Sequence, residues 1–272
     1  MKSIQSALIW AANGALILLW LPVLAVVRLF DRDPAHYATG RAFRFLGNLF
    51  TRTNPLWRVH IEGDVPEDPR RPYVVVSNHQ SNADIPVISR LPWEMKWVAK
   101  AELFKVPVVG WLLRMAGDIA VDRRDPTSRA HVLVAARDYL RERCSVMFFP
   151  EGTRSRDGRV RSFAPGAFRL AIEAGVPVLP LAVDGTRDAL PKHGWRFGNA
   201  IDARVRVLPP VPTDGLGAGD VDALRDRVRA GIIAQVAAWR GTSPEAVDAL
   251  SPSVDAATDA SADGVEETAK LD

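Results

Sequence analysis

Between Ser3 and Val27 the chain carries no charged side chain. As a helix this run would extend about 37 Å, against about 30 Å for the hydrocarbon core of a bilayer. Such a segment has to lie in lipid or inside a core. A secretory signal fits poorly: the run is too long for an h-region, Lys2 alone marks an n-region, and no small-x-small cleavage site follows. Asn13, Gly14 and Pro22 interrupt it, which points to a re-entrant helix rather than a straight span. Arg28, Arg32, Arg41 and Arg44 come next, so the positive-inside rule sets the body on the cytoplasmic face of the cell inner membrane. Further on, Phe43, Leu46, Leu49 and Phe50 recur at helical spacing with Arg41, Arg44 and Arg52 between them. That pattern suits a helix in the membrane interface, and equally an ordinary amphipathic core helix. Residues 1–56 are thus expected to be membrane-anchoring helices.

The overall charge of +3 hides an asymmetry. The stretch from Gly241 to Asp272 is net −7, which leaves +10 on residues 1–240. Rich in Ala, Ser and Asp and without an aromatic residue, residues 241–272 read as an acidic, disordered tail. The basic body favours an anionic partner. Its charge lies near apolar segments and no aromatic–basic motif accompanies it, so anionic lipid is favoured and nucleic acid is not. The single cysteine, Cys144, excludes an intramolecular disulfide and a multi-cysteine zinc site, and reads as a small buried hydrophobe.

From Trp57 the pattern becomes one of short apolar runs alternating with helical ones. YVVV, KWVAK, GDIAV, VMFF, VPVLPLAV and ARVRVL read as strands; PVISRLP, VPVVGWLLRMAG, SRAHVLVAARDYLRERC and GAFRLAIEAG read as helices between them. Gly117 and Gly175 stand where helix stops belong, and a last amphipathic helix carries Leu224, Val228, Ile232 and Trp239. The expected fold for residues 57–240 is α/β: a largely parallel sheet flanked by helices, behind an N-terminal membrane-embedded helical segment.

Three loops could carry chemistry. YVVV runs into SNHQSNADIP, where Pro86 belongs in a first helical turn and so starts a helix near Asp84. His79 then sits in the loop leaving a strand, where α/β sheets form their ligand crevice, with Asp84 near enough to orient its ring. Asn78, Ser81 and Asn82 shape that loop. No nucleophile accompanies the pair, which suggests that a substrate hydroxyl is the nucleophile and His79 its general base. The second loop is FPEGTRSRDG: Gly152 permits a tight path, Thr153 and Ser155 offer hydroxyls, and Arg154 and Arg156 offer forks for phosphate oxygens. Glu151 could bond a substrate hydroxyl or hold an arginine. In the third, Lys100, Lys105, Arg123 and Arg124 add positive charge at element ends, and Arg123 follows a strand directly.

These motifs together resemble the membrane-bound glycerolipid acyltransferases, specifically the 1-acyl-glycerol-3-phosphate (lysophosphatidate) acyltransferases. The family's signature blocks occur in order as NHQSNAD, PVVGW with VDR, FPEGTRS and VPVLPLAVDGT. The resemblance implies that His79 and Asp84 are catalytic, and that Arg123, Glu151, Gly152, Thr153 and Arg154 hold the glycerol phosphate. Asn78, Lys100, Lys105, Pro177 and Pro180 would be accessory, the two prolines through acyl binding or by shaping a strand edge. It implies acyl transfer from acyl-CoA or acyl carrier protein to lysophosphatidate, giving phosphatidate, with no metal and no cofactor. One departure is visible: where many relatives continue with Phe-Lys-x-Gly, this chain reads FAPG, with Ala164 in place of the lysine. Acylation of another lysolipid, or thioester hydrolysis, are the rival readings.

Overall fold

The computed structural model describes residues 2–189, 196–198 and 200–250. Seven strands form one sheet: β1 (Trp57–Gly63), β2 (Val74–Ser77), β3 (Met95–Lys100), β4 (Ile119–Val121), β5 (Ser145–Phe148), β6 (Val178–Asp184) and β7 (Ile201–Val207). Their order is β1-β7-β6-β2-β5-β3-β4. The five from β6 to β4 are parallel, β7 is antiparallel to β6, and β1 is parallel to β7. The expected α/β architecture is what is found. β1 was not singled out in the sequence, because WRVHIEG is half polar and half exposed at the sheet edge.

Both faces of the sheet are covered, and the strands alternate between them as a pleat requires. Val74, Val76 and Val146 pack with helices α5 (Pro126–Arg141), α6 (Gly166–Ala174) and α7 (Val221–Arg240). Val75, Met147, Leu179 and Leu181 face the other way, onto Val87, Ile88 and Trp93 around α3 (Asp84–Ile88). α5 begins at Pro126 because Asp125 caps it, its carboxylate accepting the Thr127 and Ser128 N–H groups. Gly117 and Gly175 close α4 (Val109–Ala116) and α6 in the left-handed region, as expected.

Helix α1 (Lys2–Phe30) is continuous, so Asn13, Gly14 and Pro22 do not break it as the sequence suggested. It is long and apolar enough to cross a membrane. It nevertheless lies along the body. Ser6 Oγ accepts the Phe197 N–H (3.0 Å), Trp20 Nε1 donates to the Ala42 carbonyl (3.0 Å), and Leu24 is buried against Leu46 and Leu112. Helix α2 (Tyr37–Thr53) decides between the two readings of its pattern. Arg41 turns inward to the Leu91 and Trp93 carbonyls, and Arg44 is buried in an ion pair with Asp118. These arginines are ties between α2 and the sheet, not headgroup ligands; the core-helix reading of that pattern holds for them.

The first part of the expected tail is folded. Helix α8 (Pro244–Val247) lies on α7, and Asp248 pairs with Arg229. Residues 251–272, where the remaining acidic charge lies, are outside the described residues.

Candidate active site

Strands β6, β2 and β5 are adjacent and parallel, so the loops after Asp184, Ser77 and Phe148 meet at one end of the sheet. That end is where an open parallel sheet offers a crevice. The loop after β2 supplies His79. Its Nδ1 lies 2.7 Å from Asp84 Oδ2, and its ring stacks on Phe149, centroids 4.0 Å apart and planes 20° apart.

Asp84 is fully buried in the first turn of α3 and held from several sides. Oδ2 accepts the N–H groups of Gln80 (2.7 Å) and Ser81 (3.0 Å), and Oδ1 accepts the Thr186 hydroxyl. An oxygen already used as an acceptor makes Nδ1 the donor, so the proton sits on Nδ1 and the lone pair on Nε2. No described residue hydrogen-bonds Nε2. The arrangement leaves a nitrogen lone pair free to take a proton, on a ring oriented by a buried carboxylate.

The main chain of His79 is fixed as firmly as its ring. Glu151 Oε1 accepts the His79 N–H (2.8 Å), and the Ser155 N–H donates to the His79 carbonyl (2.8 Å). Glu151 Oε2 accepts the Arg161 N–H at 3.2 Å. Both carboxylate oxygens therefore hold backbone, which places Glu151 between the two loops, whereas the sequence offered it to a substrate hydroxyl or an arginine. Asn78 completes the clamp by bonding both backbone groups of Val183, at 2.8 and 2.9 Å. Gly152 turns the second loop at φ 69°, a conformation that strains any residue with a Cβ.

Burial pushes the Glu151 carboxyl up to about 7, against the pull of its two N–H partners. Its folded value thus lies above the ordinary 4.5, so folding takes up a proton between those values. Wild type should lose stability relative to Glu151→Gln as pH rises from 4.5 through 7, by about 3 kcal/mol at full ionisation. Denaturant titrations of both proteins across that window check this. The same substitution turns one N–H acceptor into an NH₂ donor, and kcat should fall while KM changes little.

Beside this site lies a cavity of about 430 Å³ lined by Val98, Phe148, Leu133, Ala164, Arg123 and Arg129, with Glu151, Gly152 and Thr153 also in its wall. Arg123 follows β4 and donates to the Gly152 carbonyl, tying the two loops together. Arg154 is half-buried and makes no hydrogen bond or ion pair with the described residues. Lys100 and Lys105 line neither this cavity nor the one described below; Lys100 is exposed and pairs with Glu102 at 3.0 Å. Pro177 and Pro180 line neither cavity either. The Pro177 carbonyl accepts the Val74 N–H. Pro180 lies inside β6, between β2 and β7, and not at a sheet edge. Its carbonyl accepts the Leu208 N–H, just where pairing with β7 ends, so its missing N–H faces that gap.

Sequence reasoning passed over Thr186, Phe149 and Arg129. Thr186 stood in the VDGT run and follows β6 as His79 follows β2, a signal that was available. Phe149 was absorbed into the apparent strand VMFF. Arg129 gave no signal, since only the fold brings α5 to the end of β4.

Residues 57–184 match a family model described as acyltransferase. The chain is 35% identical over 207 residues to a chloroplastic 1-acyl-sn-glycerol-3-phosphate acyltransferase of Brassica napus, covering 74% of this chain and 58% of that protein. It is 32% identical over 204 residues to the 1-acyl-sn-glycerol-3-phosphate acyltransferase of Salmonella typhimurium, covering 73% and 79%. The crystal structure of the 1-acyl-sn-glycerophosphate acyltransferase PlsC from Thermotoga maritima superposes with a TM-score of 0.70 at 27% identity, covering 87% and 98%. The chain thus spans little more than half the length of its plant relative and most of its bacterial ones. With four fifths of the Salmonella protein matched and the Thermotoga structure superposing over 87% of this chain, this chain belongs to the acyltransferase family that includes the 1-acyl-sn-glycerol-3-phosphate acyltransferases.

Proposed function

We propose that this protein transfers a fatty acyl group from an acyl thioester to the free hydroxyl of 1-acyl-glycerol-3-phosphate, forming phosphatidate for phospholipid synthesis. The observation that carries the reading is the His79–Asp84 pair, with Nε2 unbonded, beside the cavity that Arg123 lines and the loop that carries Arg154. Nε2 takes the proton of the lipid hydroxyl as its oxygen attacks the thioester carbonyl. The new C–O bond forms, the C–S bond breaks, and the imidazolium returns the proton to the leaving thiolate. Asp84 holds the imidazolium while it exists. Arg123 and Arg154 supply charge for the acceptor phosphate, while Glu151 and Asn78 hold the base in place. The thioester itself supplies the free energy, and the step uses no metal and no cofactor.

The donor is acyl-CoA or acyl carrier protein, both of which present a thioester on a phosphopantetheine arm. The enzyme works at a membrane, with α1 in the lipid and the sheet on the cytoplasmic face of the inner membrane. An acceptor panel tests the reading. Purified protein is given labelled acyl-CoA or acyl carrier protein with lysophosphatidate, with other lysophospholipids or lyso-aminolipids, or with no acceptor. Phosphatidate formation is the expected result. Release of thiol at the same rate without acceptor would make the protein a thioesterase.

Ala164 gives the competing acceptor class a specific handle, because it lines the same cavity as Arg123. Ala164→Lys adds one cation beside the phosphate seat and should lower KM for lysophosphatidate about fivefold, equivalent to ~1 kcal/mol. If the variant instead lowers activity on lysophosphatidate and the wild type prefers an acceptor without a phosphomonoester, the acceptor is that other lipid.

A further inference from the structure

The PVVGW run is quoted in the family resemblance, yet no part of it enters the chemistry above. In the structure it builds a knuckle. A short 3-10 helix, Ala101–Lys105, follows β3 and leads into α4. Between them the Val109 N–H donates to the Pro107 carbonyl (2.7 Å) across Val108, which lies at φ 62°, ψ −57°. This is a γ-turn of the rare strained kind, on a β-branched residue that ordinarily avoids positive φ. Gly110 lets α4 close onto the 3-10 helix: a Cβ there would meet the Phe104 carbonyl oxygen at 2.2 Å. Arg114 then donates to the same carbonyl at 2.6 Å.

This tight construction holds apolar side chains outward. Leu103 is 41% exposed, Val106 43% and Trp111 52%. Scattered single apolar residues on a surface need no explanation, but three on one small element, beside another exposed apolar element, do. That neighbour is α1, which exposes Leu18, Leu19, Val23 and Val26. Leu112 of α4 is buried against Leu24 of α1 and Leu46 of α2, so knuckle and helix ride on one packed unit. Around the knuckle stand Lys100, Lys105 and Arg114 against one acid, Glu102. Basic residues around a Trp and aliphatic cluster match an anionic lipid surface. The knuckle also walls a second cavity of about 330 Å³, through Leu103, Val109 and Leu113, whose other walls include Ile17 of α1, Phe43 and Phe50 of α2.

We propose that Leu103, Val106 and Trp111 form a second membrane-inserting element, which enters an anionic bilayer beside α1 and sets the mouth of the second cavity in the lipid. A lipid chain then passes from leaflet to cavity without crossing water. The proposal rests on the membrane reading of α1, and the test separates the two.

Full-length protein is reconstituted in mixed phosphatidylcholine–phosphatidylglycerol vesicles with one spin label at a time, at Leu103→Cys, Val106→Cys, Leu19→Cys on α1, or Val134→Cys on α5. Cys144 is fully buried and its thiol is pushed up to about 12 by that burial, so it stays unlabelled in the folded chain. Collision with oxygen reports lipid, and collision with a water-soluble nickel complex reports solvent. The expected result is that labels at 103 and 106 match the one at 19, oxygen-accessible and shielded from nickel, while the label at 134 shows the reverse. If the label at 19 is in lipid and those at 103 and 106 behave like the one at 134, the knuckle does not insert and the proposal is wrong. If the label at 19 also meets nickel, α1 is not in the membrane, and the reading beneath the proposal fails with it.

Discussion

His79→Ala lowers kcat for acyl transfer by about 100- to 10,000-fold with little change in KM for either substrate, the range that a positioned general base contributes. The ring touches Asp84 and Phe149 and leaves Nε2 unbonded, so its loss removes a proton acceptor from the reaction and little from lipid binding. Asp84→Asn should approach the same loss by another route. An asparagine carries no charge to hold the imidazolium, and in the orientation that turns its NH₂ toward Nδ1 it also meets the N–H donors of Gln80 and Ser81. His79→Gln, which keeps a polar side chain of similar reach but cannot take a proton near neutrality, should not restore turnover. Steady-state kinetics under saturating thioester distinguish these outcomes, and a normal unfolding transition shows that each variant is folded.

The second large effect is on stability and lies far from the base. Arg44→Ala lowers the free energy of unfolding by about 3–5 kcal/mol, the usual cost of removing one partner from a buried ion pair. Arg44 is paired with Asp118 and lies 3.8 Å from Glu94. Glu94 in turn bonds Lys96, whose Nζ also donates to the Ala116 carbonyl at 2.7 Å. All four residues are buried. Burial works against the charge on Arg44, but the Asp118 and Glu94 carboxylates more than offset it, and its pKa rises. Without the guanidinium, Asp118 keeps the Trp97 N–H as partner and loses its counter-charge. Replacing both residues, as in Arg44→Met with Asp118→Leu, should recover most of the loss, since it leaves no buried charge unpaired. Denaturant unfolding of the single and double variants in one detergent measures the coupling.

These two regions differ in how far a reader of the sequence could see them. The parallel strands were legible because each is a short apolar run bounded by turn residues, and both faces of the sheet are buried. The His79–Asp84 contact was legible because Pro86 fixes where α3 starts, which puts Asp84 within reach of a residue five positions earlier. β1 was not, since an edge strand needs no apolar face. Nor was the role of Arg44: its spacing on α2 fits a headgroup ligand as well as a core ion pair, and only the placement of Asp118 after α4 decides between them. The backbone partners of Glu151 were hidden for a similar reason. A carboxylate in an arginine-rich loop suggests an ion pair, whereas the fold offers it two backbone N–H groups from segments that the sequence keeps far apart.

The central claim is that the lipid hydroxyl, and no side chain, attacks the thioester. It is tested by mixing the enzyme with a stoichiometric amount of labelled acyl thioester, quenching at short times, and counting label on the denatured protein with and without lysophosphatidate. The account predicts no protein-bound acyl group in either case, and label appearing in phosphatidate only when the acceptor is present. An acyl-protein that forms without acceptor and passes its label to lysophosphatidate when chased would contradict it.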